Sequence, residues 1–98
     1  MKKWTSSLKW KTTLRVEVAY RYRKNVLEKL EAHGIRPRAS TPPELVRAYV
    51  NDLYRYEIRK LRDRLLRGEF PKNTYLDRVV ILRNKYSVLA LRPEQFVE

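Results

Sequence analysis

Glycine occurs at only two of the 98 positions, and each stands where a run of regularly spaced apolar residues ends. Gly34 follows Leu30-Glu31-Ala32-His33, and Gly68 follows Leu65-Leu66-Arg67. Glycine enters the left-handed conformation that closes a helix without a Cβ clash, so both positions predict a helix C-terminus. Between them the stretch Ile35 to Pro43 is rich in proline and polar residues and predicts a rigid loop. Thr41 is then placed to cap a helix that begins at Pro42-Pro43. Glu44, three residues on, would complete a capping box and favour the positive end of the helix dipole.

The segment from about Pro43 to Arg67 carries Val46, Val50, Leu53, Tyr54, Leu61 and Leu65 at spacings that bring them onto one helical stripe. Arg55, Arg59 and Arg62 form a row on the opposite side, with Arg47 at its flank. Upstream, Val16, Ala19, Val26, Leu27 and Leu30 share a helical face, which predicts a helix from about Thr13 to His33. A second pattern competes there, because Leu8, Trp10, Thr12, Leu14, Val16, Val18, Tyr20 and Tyr22 alternate with the period of a strand. The helical pattern after Asn25 needs a start and no hairpin turn interrupts the stretch, which argues for helix. After Gly68, Thr74 is placed to cap a third helix with Tyr75, Val79, Leu82 and Tyr86 on one face. Val88 to Leu91 either ends that helix or lies extended across the other two, since Pro93 disfavours helix at Arg92. The expected fold is all-α: a small antiparallel helical hairpin (about 13–33 and 43–67) completed by a shorter C-terminal helix. A basic Trp/Lys tail, 1–11, precedes a single helical domain, 12–98.

Composition narrows the functional classes. Cysteine is absent and His33 is the only histidine, so thiolate metal sites, Cys-His pairs and Ser-His-Asp arrangements lack parts. No glycine-rich phosphate loop occurs. The chain therefore reads as non-catalytic, without metal or cofactor, and His33 as a helix-end residue where positive charge is favoured. Lack of cysteine gives no sign of an oxidising compartment and makes the cytoplasm the expected location. The longest apolar runs, Val79–Leu82 and Val88–Leu91, are four residues each, against about 20 for a membrane span. Lys2 and Lys3 are not followed by the apolar stretch of an export signal. Zinc-finger, RNP-type and GxxG signatures are missing. The nine-residue loop and long second helix do not fit a helix-turn-helix.

What remains is charge. The chain holds 23 basic and 11 acidic side chains, a net +12. Residues 1–38 contain 11 of the basic groups and 3 of the acidic ones. Within that third, Lys2, Lys3, Trp4, Lys9, Trp10 and Lys11 interleave ammonium groups with indoles, a chemistry suited to phosphates and exposed bases. It also suits an anionic membrane surface, or simple packing of Trp4, Leu8 and Trp10 onto the helices. The Arg55, Arg59, Arg62 row with Arg47 has the spacing to touch successive phosphates, unless Asp52, Glu57 and Asp63 weave it into ion pairs. Tyr49 and Tyr56, seven residues apart at the edge of the stripe, are a candidate protein-docking strip. Arg23 and Glu57 each fall within an apolar stripe. They are expected either to face one another across the helical pair or, for Glu57, to pair locally with Lys60 or Arg64.

These residues lead to an expected non-catalytic basic module that binds nucleic acid, RNA or ribonucleoprotein favoured, mainly through phosphate. The alternative is a small accessory subunit of a larger assembly whose partner is acidic. Peripheral membrane contact through the tail is a third reading.

Overall fold

The computed structural model describes residues 19–98. The expected tail 1–11, its boundary with the helical domain, and the start of the first predicted helix lie outside the described residues. Among the described residues three α-helices follow one another: α1 (Lys24–Glu31), α2 (Pro43–Leu66) and α3 (Tyr75–Lys85). Short 3-10 turns occupy Lys72–Thr74, Ser87–Ala90 and Pro93–Gln95. The described residues form no strand, and the fold is all-α.

Both glycines close helices as their positions predict, with φ of 74° at Gly34 and 73° at Gly68. Each end is a Schellman motif. After α1, the Gly34 N–H donates to the Glu31 carbonyl at 2.9 Å and the Ile35 N–H to Leu30 at 3.0 Å. After α2, Gly68 donates to Leu65 and Glu69 to Arg64, both at 3.0 Å. Ile35 and Leu30 are the apolar pair that commonly accompanies this motif, Leu30 in the core and Ile35 packed against it. Glu69 and Arg64 replace that contact with an ion pair of 3.1 Å.

Part of the stretch expected to be helical is not: among the described residues, 19–23 form no helix, Arg23 is extended, and α1 begins at Lys24. Tyr22 forms an isolated antiparallel bridge with Val97. The Arg23 N–H donates to Phe96 at 2.9 Å, Glu98 donates to the Arg21 carbonyl at 2.9 Å, and Tyr20 donates to Ala39 at 2.7 Å. The strand-like alternation thus governs these five residues, because a distant segment supplies the backbone partners that a helix would have supplied locally. Thr41 also differs from expectation. Its hydroxyl accepts the Arg38 N–H at 3.0 Å and stabilises the loop, while Pro42 is the residue that precedes α2. Pro42 and Pro43 have no N–H, so the start of this helix has fewer donors to satisfy and no side-chain cap forms.

The core is built by Val26 and Leu30 of α1, Val46 and Val50 of α2, and Tyr86, Val88 and Phe96 from the C-terminal segment. Leu53, Tyr54 and Leu82 pack against it. Val88–Leu91 therefore neither continues α3 nor lies extended: Ser87–Ala90 is a 3-10 turn that drives Val88 inward. The main helix-on-helix packing joins α2 to α3 rather than α1 to α2. A helix of eight residues is too short to run beside α2 along its length. Phe96 is the largest of the fully buried side chains. Its truncation, Phe96→Ala, should cost about 3–5 kcal/mol against a total of roughly 5–10 kcal/mol for a domain of this size. Urea denaturation followed by far-ultraviolet circular dichroism should show the midpoint falling by a third or more, whereas Leu66→Ala, at an exposed position, should leave it nearly unchanged.

Candidate nucleic-acid interface

Arg55, Arg59 and Arg62 are all exposed on α2, on the side away from the core. They span about 10 Å of helix axis. Among the described residues none of the three joins an ion pair, and Asp52 and Asp63 form none either. The weave of surface ion pairs that would neutralise this row is absent from the described residues. Arg59 donates through Nε to the Arg55 carbonyl at 3.5 Å, leaving its Nη groups toward solvent. Lys2, Lys3, Trp4, Lys9, Trp10 and Lys11 lie outside the described residues.

Arg47 does not extend the row. Its guanidinium is half-buried and turned to the C-terminal segment, where Nε donates to the Leu91 carbonyl at 2.8 Å and Nη2 to Leu89 at 2.7 Å. Two backbone acceptors at the end of a 3-10 turn hold it and occupy part of its donor set. Arg23 and Glu57 do not face one another. Arg23 lies at the start of α1 and donates through Nε to the Val97 carbonyl at 3.1 Å. Glu57 accepts from the Tyr86 hydroxyl and has the Lys85 ammonium 3.5 Å from its carboxylate, so neither Lys60 nor Arg64 is its partner. The cause is the packing partner of α2, which at this level is α3.

His33 is also engaged by α3. Its ring stacks on Tyr86 with centroids 4.2 Å apart and planes 11° from parallel. Its Nε2 lies 3.0 Å from the Lys85 carbonyl at the end of α3, which fixes that nitrogen as a donor and caps a carbonyl left over at the helix end. The imidazole is thus a cap, but of a helix other than its own.

A groove of about 380 Å³ runs between α2 and α3, lined by Glu57, Lys60, Leu61 and Arg64 from α2 and by Arg78, Ile81, Leu82 and Lys85 from α3. Two of these cations also meet buried Phe70, the Arg78 guanidinium at 4.1 Å and that of Arg64 at 5.6 Å from its ring centroid. Arg78 also donates to the Thr74 hydroxyl at 3.3 Å. Among the described residues Lys60 and Arg78 have no carboxylate partner. Sequence reasoning missed this cluster. Glu57, Lys60 and Arg64 stand at spacings of three and four, and Arg78 and Lys85 are seven apart. Those intervals become a signal only when α2 and α3 are known to be neighbours.

Tyr49 and Tyr56 are 54% and 56% exposed, with Leu45 at 61% beside Tyr49. They present apolar surface on a flank of α2 next to the arginine row, and the Lys60 ammonium sits 5.4 Å from the Tyr56 ring centroid. Among the described residues no group of acidic or imidazole side chains is arranged to hold a metal, and no helix is long and apolar enough to cross a membrane. No protein-family model matches the chain, and no curated protein or solved structure matches it either.

Two tyrosines have displaced ionisation. Burial pushes Tyr22 up to about 12, with Tyr20 and Glu44 adding to the effect. Tyr86 is raised as well, first by burial and then by its hydrogen bond to Glu57. A phenol with a raised pKa in the folded chain contributes full stability below its unfolded value near 10 and loses it as pH climbs toward the folded value. Tyrosinate absorbance should therefore rise in separate steps, with Tyr22 and Tyr86 ionising last, and stability should fall from about pH 10 upward. Tyr22→Phe and Tyr86→Phe should each delete one late step; a single transition near pH 10 in the parent chain would contradict the assignment.

Proposed function

We propose that this chain is a non-catalytic basic helical module that binds nucleic acid, RNA or a ribonucleoprotein in preference to a specific DNA operator, mainly through phosphate. The observation that carries the reading is the row Arg55, Arg59, Arg62, exposed and without carboxylate partners among the described residues. Guanidinium forks at this spacing suit consecutive phosphates, and a net charge of +12 supplies the long-range attraction. Lys2, Lys3, Lys9 and Lys11 add further cations, with Trp4 and Trp10 between them for stacking. Recognition of this kind tolerates sequence and weakens steeply with salt.

Fluorescence anisotropy with a labelled single-stranded RNA tests the reading. The slope of log affinity against log salt should fall by about 2 when Arg55, Arg59 and Arg62 are all changed to Ser, from roughly 0.7 per phosphate contact. Trp4 and Trp10 are the only tryptophans, so quenching of intrinsic fluorescence on adding RNA reports on that segment alone. Absence of salt-sensitive binding at micromolar protein would overturn the reading.

The exposed Leu45, Tyr49 and Tyr56 favour a second reading, an accessory subunit that meets an acidic partner through an apolar strip. Native purification should then yield a protein partner that survives moderate salt, free of nucleic acid, and Tyr49→Ala with Tyr56→Ala should release it.

A further inference from the structure

The groove between α2 and α3 carries chemistry that the arginine row does not. Its rims hold four cations, Lys60 and Arg64 from α2 and Arg78 and Lys85 from α3. The acids near it are already shared: Glu57 is bound by Tyr86 and Lys85, and Glu69 is divided between Arg64 and Arg67 at 3.1 and 2.7 Å. Positive charge is left over on both rims. Between them lie Ile81, 69% exposed, half-buried Leu82 and the edge of buried Leu61, beside the Glu57 carboxylate already bound by Tyr86 and Lys85. An apolar strip between two rows of cations would be wasted on a duplex, whose bases are stacked inside and whose surface is phosphate. It matches a strand whose bases are unpaired, with phosphates on the rims and a base face against the aliphatic strip. The volume of about 380 Å³ lies in the range of small-ligand sites, suited to one or a few nucleotides rather than a long contact.

We propose that the α2/α3 groove is a single-strand subsite: it seats an unpaired nucleotide segment, with phosphates held by Lys60, Arg64, Arg78 and Lys85 and a base lying over Leu61, Ile81 and Leu82. The proposal rests on the nucleic-acid reading above and deepens it by naming the form of nucleic acid and a second surface, on the side of α2 away from Arg55, Arg59 and Arg62. Arg64, Arg78 and Lys85 also hold the fold through Glu69, Phe70 and Glu57. Lys60 on the rim and Ile81 on the apolar strip are both exposed, and they are the positions to change.

The test uses the full chain, a labelled short single-stranded RNA and a duplex of equal length. Circular dichroism establishes that each variant is folded. Ile81→Glu should weaken single-strand binding about five- to tenfold, the low end of what a base stacked on an aromatic ring contributes, since the strip is aliphatic. It should weaken duplex binding less. Lys60→Ala should lower the salt slope for the single strand by about 0.7. If both variants bind the single strand as the parent does while the triple Ser variant loses binding, the groove assignment is overturned and the broader reading stands. Equal losses on single strand and duplex would also overturn it, since they would mark a general charge effect. If the parent chain binds neither RNA, both the groove and the broader reading fail.

Discussion

The position of Tyr86 decides how the three helices meet. Within Tyr75–Lys85 no side chain is fully buried, so the half-buried contacts of α3 with α2 are reinforced by what lies at its two ends. At one end is Phe70, between Arg64 and Arg78. At the other is Tyr86, whose ring enters the core, stacks on His33 beyond α1 and meets Tyr54 of α2 at 5.5 Å. Its hydroxyl cannot be buried without a partner, and Glu57 provides one. The same contact explains a carboxylate among Val46, Val50, Leu53 and Leu61. An unpaired charge there would be costly, and Glu57 instead has a phenolic donor, the Lys85 ammonium and about one third of its side chain in water.

This arrangement sorts the basic residues into two populations. Arg23 and Arg47 serve the fold: both donate to backbone carbonyls of the C-terminal segment, which holds Phe96 beneath α1 and α2. Arg55, Arg59 and Arg62 make no such contact with the C-terminal segment and face solvent. Lys60, Arg64, Arg78 and Lys85 stand between these extremes, partly committed and gathered along one groove. Net charge alone cannot make this division, because a guanidinium bound to carbonyls and one free in water count equally.

The elements legible in the sequence are those whose signal is local. The stripe on α2, the face of α3 that carries Tyr75, Val79 and Leu82, and the helix ends at Gly34 and Gly68 follow from periodicity and from the left-handed φ of glycine. The arginine row on the exposed side of α2 is legible for the same reason. What escaped depends on segments far apart in the chain. Residues 19–23 carry both a helical and an alternating pattern, and Phe96 and Glu98 resolve the choice by pairing with them. Periodicity says that Glu57 and Arg23 lie on apolar stripes, but not which neighbour each will find.

By itself, then, the sequence determined where α2 and α3 lie, where α1 and α2 stop, which faces are apolar, and that the surface is strongly positive. Each of these is set within a few residues by steric preference, hydrophobic spacing or composition. Tertiary structure alone decided that α2 packs on α3, that the C-terminal segment returns to pair with Tyr22, and that Arg47 and His33 act as caps. It also decided that four cations line one groove. The physical reason is the same in each case. A buried polar group needs a partner, and which partner reaches it depends on the packing of segments dozens of residues apart, about which the local pattern carries no information.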